Sequence, residues 1–377
     1  MKLEAVDAAD ARAVLRGLRG AVLGAGPAIA LGGSEPLPGE VPAGTAVVVT
    51  TSGSTGYPKS VALSRSALTA SALATAARIG DGAWLLALPP GYIAGVQVLV
   101  RSLVAGREPA ILSGSFSARA FAAAAAAMAS CDGGVPVPSY TSLVPAQLQT
   151  VLDDPAATRA LAGFEAVLVG GQALAPALAA RAADAGARIV RTYGSSETAG
   201  GCVYDGIPLE GVGIRVVDGE VHLSGPTLAD GYLGDPALTA RAFETDAAAI
   251  RWYRTGDLGT LEGGRLRITG RADNVIVSGG VNVSLDRVER VVRALPGLSD
   301  AVVVPVPDAR WGQASVVVTD SLSAGRAATD AVRAAVEAEL GKAARPRGIL
   351  PVDAIPLLAS GKPDRAALAA LATDLTP

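Results

Sequence analysis

Thr50-Thr51-Ser52-Gly53-Ser54-Thr55-Gly56-Tyr57-Pro58-Lys59-Ser60 is the most distinctive stretch of this sequence. It follows the apolar run Ala46-Val47-Val48-Val49, which predicts a buried β-strand. Its small hydroxyl residues, two glycines and one lysine can bring backbone N–H groups, hydroxyls and a cation close to a polyanion. The glycine spacing does not fit a Walker A loop. Taken alone, the stretch leaves two alternatives open: a phosphate-binding loop, or a solvated loop between a strand and a helix.

Composition limits the classes of protein to which the chain can belong. Its 377 residues predict more than one domain, and half of them are hydrophobic, which is enough for a sizeable core. A net charge of −3 without a basic run, and an aromatic content of 4%, argue against a nucleic-acid partner. Cys131 and Cys202 are far apart, which excludes a disulfide framework and predicts a cytoplasmic protein. We expect no membrane span, because no apolar run approaches the ~20 residues that one needs.

Short apolar strands alternate with helices in the first part of the chain. Ala166–Val169 and Ile189–Tyr193 are typical strands, and 64–79 and 95–105 are predicted helices. This alternation predicts an α/β fold with mainly parallel sheets flanked by helices. Ligands of such sheets bind at the carboxyl ends of the strands, where the Ser/Gly/Thr stretch lies.

The pattern of hydrophobic residues changes after about residue 203. Segments that alternate with period two predict a small antiparallel β subdomain. Beyond residue 270, strands with helices at 284–294 and 328–340 predict a small α+β domain that acts as a mobile lid. We therefore expect a large domain over 1–269 and a C-terminal domain over 270–377.

Several further motifs follow the opening stretch in a fixed order. They are Gly170-Gly171-Gln172, Thr192-Tyr193-Gly194-Ser195-Ser196-Glu197-Thr198, Gly231-Tyr232-Leu233-Gly234-Asp235-Pro236, Tyr253–Gly259, Gly270-Arg271-Ala272-Asp273, Ser278–Asn282, and Ser360-Gly361-Lys362 with Arg365. Together they resemble the motifs of the adenylate-forming enzymes, which include acyl-CoA synthetases, peptide-synthetase adenylation domains and luciferases. The chain departs from the family pattern at Ser60, where glycine is usual, and at Ser196, where threonine is usual.

The resemblance implies a site for ATP and Mg²⁺. Lys362, Glu197 and Arg271 would be catalytic, and Glu197 with Ser196 would hold the metal, a hard cation that takes oxygen ligands. Asp257 would accept from the ribose hydroxyls and Arg271 would reach the ribose or phosphates. The other implied ATP contacts are Thr51, Ser52, Gly53, Ser54, Thr55, Gly56, Lys59, Gly170, Gly171, Gln172, Thr192, Tyr193, Gly194, Ser195 and Ser196.

The family catalyses two half-reactions. A carboxylate and ATP give an acyl-adenylate and pyrophosphate, and a thiol, commonly that of coenzyme A, then displaces AMP. By resemblance, Asp273 corresponds to the hinge of the small domain, and Gly279 and Gly280 to the face that meets coenzyme A. Lys362 would neutralise the negative charge that builds up during adenylation.

A narrower resemblance concerns the acyl substrate. Ile93–Leu103, Tyr140–Val144 and Thr198–Gly206 are similar to short actinobacterial-type o-succinylbenzoate–CoA ligases of menaquinone biosynthesis. The implied acyl-site residues are Tyr92, Arg101, Tyr140, Thr141, Ser142, Ser195, Gly200 and Gly201. Tyr92 stands where many acyl-CoA synthetases carry a histidine. Arg101 lies in an apolar helix, and it pairs either with a second substrate carboxylate or within the protein, unless it reaches the surface.

Three functions stay open at this point. The first is an o-succinylbenzoate–CoA ligase. The second is another acyl- or aryl-CoA ligase, or a stand-alone adenylation enzyme that loads a carrier protein. The third is a non-catalytic nucleotide-binding remnant. The sequence also leaves the oligomeric state open, with a homodimer as one alternative.

Overall fold

The computed structural model describes residues 1–32, 37–51, 58–128, 131–321, 326–358 and 362–374. The chain divides into two compact units. The first unit contains Met1–Arg215, His222–Thr255 and Glu262–Leu266, and the second contains Val216–Val221, Gly256–Leu261 and Arg267–Pro377.

The helices and strands follow each other in this order. Up to residue 208 they are β1 (Leu3–Val6), α1 (Ala11–Leu23), β2 (Ala28–Leu31), β3 (Thr45–Thr51), β4 (Lys59–Ser64), α2 (Arg65–Ile79), β5 (Ala83–Leu86), α3 (Ile93–Val104), β6 (Ala110–Ile111), α4 (Ala118–Ala126), β7 (Cys131–Asp132), β8 (Val135–Pro136), β9 (Ser139–Leu143), α5 (Pro145–Leu152), α6 (Pro155–Ala162), β10 (Ala166–Val169), α7 (Pro176–Asp184), β11 (Ile189–Ser195), β12 (Gly200–Tyr204) and β13 (Ile207–Pro208). Beyond it they are β14 (Gly213–Val217), β15 (Glu220–Ser224), β16 (Gly231–Tyr232), α8 (Pro236–Ala242), β17 (Phe243–Thr245), β18 (Arg251–Glu262), β19 (Arg265–Arg271), β20 (Val275–Ser278), β21 (Val281–Ser284), α9 (Leu285–Arg293), β22 (Val302–Asp308), β23 (Gly312–Thr319), α10 (Arg326–Leu340), β24 (Gly348–Pro351) and α11 (Arg365–Asp374). Within the described ranges, no helix is both long and apolar enough to cross a bilayer.

The first sheet of the larger unit has the order β1-β2-β3-β4-β16. β1, β2 and β3 run parallel, whereas β3 and β4 are antiparallel. Local capping explains where the adjacent helices begin. The Ser64 side chain accepts from the Ala67 N–H at the start of α2, and Asp10 accepts from the first N–H groups of α1.

The second sheet has the order β13-β12-β11-β10-β9-β5-β6. The strands from β11 through β10, β9 and β5 to β6 pair in parallel, whereas β12 pairs antiparallel with both β11 and β13. The prediction of an α/β fold with mainly parallel sheets is confirmed. β7 and β8 form a separate antiparallel hairpin outside this sheet.

β14 to β19 carry the predicted alternating segments. β17 and β18 are antiparallel, with Phe243 opposite Tyr253. The boundary between the two units falls inside β14, β15, β18 and β19.

The smaller unit is built on the sheet β21-β20-β23-β22, with β24 parallel to β23. Side chains alternate across this sheet, as they must in a strand. Val303 and Val317 pack with Val288 of α9 on one face. Val302, Val304, Val316 and Val318 pack on the other face with Leu368 and Ala372 of α11. Both faces are therefore covered, and the predicted helices at 284–294 and 328–340 are α9 and α10.

Candidate active site

β3 and β4 hold the two ends of the Ser/Gly/Thr stretch together. Thr51 lies opposite Lys59 in the ladder, and the Oγ atoms of Thr50 and Ser60 are 3.2 Å apart. The predicted phosphate contacts Ser52, Gly53, Ser54, Thr55 and Gly56 lie outside the described residues. The stretch joins strand to strand, since β4 intervenes before α2. A strand-to-helix connection, the alternative considered from the sequence, is therefore wrong.

Lys59 and Glu197 both lie near the Tyr232 side chain. The Tyr232 hydroxyl donates to Glu197 Oε1 at 2.9 Å, and Lys59 Nζ is 5.8 Å from the centroid of the Tyr232 ring. Burial, together with the Glu197 carboxylate, raises the pKa of Tyr232, so the phenol keeps its proton and stays a donor. A cation and a half-buried carboxylate are thus fixed close to the ends of the stretch that starts at Thr51.

Glu197 belongs to a short turn between β11 and β12. Ser196–Thr198 forms one turn of 3₁₀-helix, and Ala199 follows with φ +49°. Thr198 Oγ1 donates to the Gly200 carbonyl at 2.7 Å, and the Ala229 N–H donates to the Glu197 carbonyl at 2.8 Å. These bonds fix the backbone from which the Glu197 carboxylate projects.

A metal at this point would depend on few protein ligands. Among the described residues no group of three or more His, Cys, Asp or Glu side chains could hold a metal ion. Mg²⁺ is commonly bound by one or two carboxylates together with substrate phosphates and waters, so a single held carboxylate fits it. Glu197 and the buried Ser196 stay the predicted oxygen ligands.

Glycines bring the predicted nucleotide segments against each other. A Cβ on Gly170 would lie 2.3 Å from Thr192 Oγ1, and one on Gly201 would lie 3.0 Å from Thr192 Cβ. A Cβ on Gly194 would lie 2.1 Å from the Gly200 carbonyl oxygen. The structure therefore brings together the predicted ATP residues after β10 and within β11 with the predicted acyl residues of β12, and the approach of Gly194 to the Gly200 carbonyl leaves no room for a Cβ.

Arg101 is buried on α3, with 6% of its surface exposed. Its Nη2 donates to the Tyr204 hydroxyl at 3.3 Å, and its guanidinium lies 4.9 Å from the centroid of the Trp84 ring. Nε has no hydrogen-bond partner, and no carboxylate of the described residues lies at ion-pair distance. Burial lowers the pKa of Arg101, with Tyr204 acting in the opposite direction, yet arginine stays protonated in proteins. Neither a salt bridge nor an exposed head group accounts for this charge.

The direction of one hydrogen bond in this cluster follows from proton counting. Thr75 Oγ1 donates its only proton to the Ser71 carbonyl at 2.8 Å. The Tyr204 hydroxyl, 2.9 Å away, must therefore donate to Thr75 Oγ1. The phenol oxygen then presents its lone pairs to Arg101, and so Thr75 and Tyr204 fix the position of the guanidinium.

Other buried polar atoms of this region also lack partners among the described residues. They are Gln97 Oε1 and Ser102 Oγ on α3, and Ser195 Oγ at the end of β11. Gln97 and Arg101 are four residues apart and share one helix face, and a Cβ on Gly200 would lie 3.1 Å from Gln97 Cγ. Buried polar groups in proteins are normally satisfied, so this concentration marks a candidate ligand site. The sequence interpretation missed Gln97, although its spacing from Arg101 was visible.

The remaining predicted acyl residues lie on β9 and before α3, and the contacts of Tyr140 and Thr141 are made within the protein. The Tyr140 hydroxyl donates to the Ile79 carbonyl, its ring stacks on Trp84 at 5.2 Å, and Thr141 Oγ1 donates to the Leu85 carbonyl. Ser142 is buried in β9, and Tyr92 precedes α3. Their contact with a substrate stays a prediction.

The smaller unit contains the predicted residues Asp257, Arg271, Asp273, Gly279, Gly280 and Lys362. Arg271 bonds Asp257 Oδ1 through Nη1 at 2.9 Å and Asp273 Oδ1 through Nε at 2.8 Å. Gly279 and Gly280, with φ of +57° and +82°, form the tight turn between β20 and β21. Lys362 is exposed, and its carbonyl accepts from the Leu358 N–H at 2.8 Å.

Comparison with known proteins identifies the class to which this fold and site belong. Residues 24–233 match the AMP-binding enzyme family, and residues 287–362 match the AMP-binding enzyme C-terminal domain. The chain belongs to the AMP-binding enzyme family.

Individual relatives narrow the comparison. The chain is 44% identical over 333 residues to a probable 2-succinylbenzoate–CoA ligase of Mycobacterium tuberculosis, covering 86% of this chain and 83% of the relative. The o-succinylbenzoate CoA synthetase MenE of Bacillus subtilis, in complex with the acyl-adenylate OSB-AMP, has a TM-score of 0.72 at 25% identity, over 86% of this chain and 69% of that one. The amide bond synthetase McbA of Marinactinospora thermotolerans has a TM-score of 0.75 at 27% identity, over 92% and 76%.

Proposed function

We propose that this chain is an ATP-dependent carboxylate–CoA ligase that converts o-succinylbenzoate to o-succinylbenzoyl-CoA in menaquinone biosynthesis. One observation carries the choice of substrate: the buried Arg101 has a phenol and an aromatic face around it but no carboxylate among the described residues. A buried cation needs an anion. The ring carboxylate of o-succinylbenzoate supplies that anion, while the succinyl carboxylate reacts.

Adenylation forms a bond between a carboxylate oxygen and the α-phosphorus of ATP, and pyrophosphate leaves. Lys59 and the donors of the neighbouring stretch bind the β- and γ-phosphates, and Asp257 accepts from the ribose. Glu197 and Ser196 would hold Mg²⁺, which when bound supplies positive charge to the triphosphate. Lys362 supplies charge to the reacting carboxylate and α-phosphate.

Thioester formation then joins the sulfur of coenzyme A to the carbonyl carbon, and AMP leaves with the bond electrons. Asp273 serves as the hinge between the two half-reactions, and Gly279 and Gly280 meet the pantetheine arm. We place the reaction in the cytoplasm, where ATP and coenzyme A are available.

A substrate panel tests the proposal. AMP and CoA thioester are measured with o-succinylbenzoate, 3-benzoylpropionate, benzoate and octanoate, where 3-benzoylpropionate keeps the reacting arm but lacks the ring carboxylate. We expect both products with o-succinylbenzoate, and a kcat/KM at least about 30-fold lower with 3-benzoylpropionate, since a buried charge pair contributes about 2 kcal/mol or more.

Each other outcome assigns a different function. Equal use of octanoate or benzoate would make the chain a different acyl- or aryl-CoA ligase. AMP release that needs an added amine or carrier protein, and not coenzyme A, would make it an adenylation or amide-forming enzyme. ATP binding without AMP release from any acid would leave only the nucleotide-binding function.

A further inference from the structure

A buried carboxylate in the smaller unit has no part in the chemistry described so far. Glu289 on α9 is 7% exposed. Its Oε1 pairs with Arg293 Nη2 at 2.9 Å, and its Oε2 pairs with Arg365 Nη2 at 2.7 Å. The Val303 N–H also donates to Oε2, at 3.0 Å. A carboxylate that accepts three donors is well satisfied, so Glu289 is a fixed anchor.

Arg365 connects this anchor to the last helix. Its Nη1 donates to the Val303 carbonyl at 2.9 Å, so Glu289 and Arg365 together satisfy both main-chain polar groups of Val303 on the edge strand β22. Arg365 is also the first residue of α11, where a positive charge opposes the helix dipole. Helix stability therefore does not explain an arginine at this position, whereas the bond to Glu289 does.

The same arginine lies three residues after Lys362. The carbonyl of Lys362 accepts from the Leu358 N–H, and Pro363 forms an isolated antiparallel bridge with Leu357. Three residues of chain span at most about 11 Å, and Pro363 fixes one of the backbone angles between them. The backbone of Lys362 is thus held on one side by the bridge and on the other by Arg365.

We propose that Glu289 and Arg365 are positioning residues for adenylation, which hold the backbone of Lys362 where its ammonium group meets the reacting carboxylate. The inference rests on the proposed role of Lys362. It predicts that the charge pair matters for the half-reaction that uses Lys362 and not for the one that does not.

The test measures the two half-reactions separately. ATP–pyrophosphate exchange with o-succinylbenzoate reports adenylation, and thioester release from supplied acyl-adenylate and coenzyme A reports the second step. We expect Arg365→Ala and Glu289→Gln to lower kcat for exchange at least 30-fold while changing thioester release less than threefold. Arg365→Lys keeps the charge and should recover part of the exchange rate. Arg345→Ala is the matched control, because Arg345 pairs with Glu337 at 3.0 Å on the surface of the same unit.

A double variant separates positioning from a general loss of structure. If Arg365 acts through Lys362, then Lys362→Ala/Arg365→Ala exchanges no more slowly than Lys362→Ala alone. A further drop in the double variant, or an equal loss of both half-reactions in Arg365→Ala, would overturn the inference. If Lys362→Ala itself leaves exchange intact, the assignment of Lys362 fails instead, and the substrate panel still reports on the proposed function.

Discussion

Arg101→Met should leave the free energy of unfolding nearly unchanged but strongly lower the affinity for o-succinylbenzoate. Methionine keeps the apolar stem that packs in α3 but removes the charge. In the free protein the guanidinium is buried with a neutral hydroxyl and an aromatic ring, so its desolvation cost of several kcal/mol is only partly offset. The lost hydrogen bond contributes about 1.5–3 kcal/mol and the cation–π contact about 1–2 kcal/mol. These terms nearly cancel, and we expect the free energy of unfolding to fall by no more than about 1 kcal/mol.

Binding of o-succinylbenzoate should weaken strongly in the same variant. Truncating one partner of a buried charge pair costs about 2–5 kcal/mol, which corresponds to about 30- to 4,000-fold in affinity. The affinity for ATP should stay within threefold of wild type. The affinity for 3-benzoylpropionate should also stay within threefold, because that acid has no ring carboxylate to lose a partner.

Calorimetric titration and urea unfolding measure the two quantities on the same preparations. Arg78→Met is the matched control, since Arg78 is an exposed residue at the end of α2. A loss of about 3–5 kcal/mol of stability would show that Arg101 belongs to a structural ion pair. Equal weakening of both acids would remove Arg101 from recognition of the ring carboxylate.

Three other substitutions, one in the smaller unit and two in the larger one, test single residues of the candidate site. Lys362→Ala should lower ATP–pyrophosphate exchange further than Arg365→Ala does, to a residual rate that is still measurable, and leave thioester formation from supplied acyl-adenylate largely intact, whereas equal loss of both would refute its role. Tyr204→Phe removes the acceptor for Arg101, so the KM for o-succinylbenzoate should rise about tenfold, for about 1.5 kcal/mol, with the KM for ATP unchanged; a loss confined to kcat would contradict this. Gly194→Ala forces a Cβ to 2.1 Å from a backbone carbonyl and should cost at least about 3 kcal/mol in urea unfolding, while Gly39→Ala, with no atom within 4 Å, should be neutral.

The sequence predicted those elements whose cause is local. α2 begins where Ser64 can cap it, and β10 occupies the predicted Ala166–Val169. β9 was missed because Ser139–Leu143 has no apolar run. Its polar side chains are buried only because distant carbonyls accept from them, as Leu85 does from Thr141. Partners so far apart in the chain cannot be read from a window of sequence.

The candidate site likewise contains residues that the sequence could predict and residues that it could not. The glycines and charged residues of the nucleotide motifs stand out in sequence because only those types fit their geometry. Tyr204 and Thr75 were not found, because the Thr75–Tyr204 and Tyr204–Arg101 contacts each span more than one hundred residues and depend on the packing of α2, α3 and β12. Arg101 itself was found, since a charge inside an apolar helix conflicts with its surroundings.

The turn between β11 and β12 should couple the binding of the two substrates, because it lies between the two candidate sites. Thr192 and Glu197 on one side of it belong to the nucleotide motifs, while Gly200 and Tyr204 on the other adjoin Gln97 and Arg101. Because one hairpin adjoins both candidate sites, a shift of its backbone on binding one ligand changes the site of the other. Linkage makes this effect reciprocal, so ATP and the acid should each change the affinity for the other by the same factor.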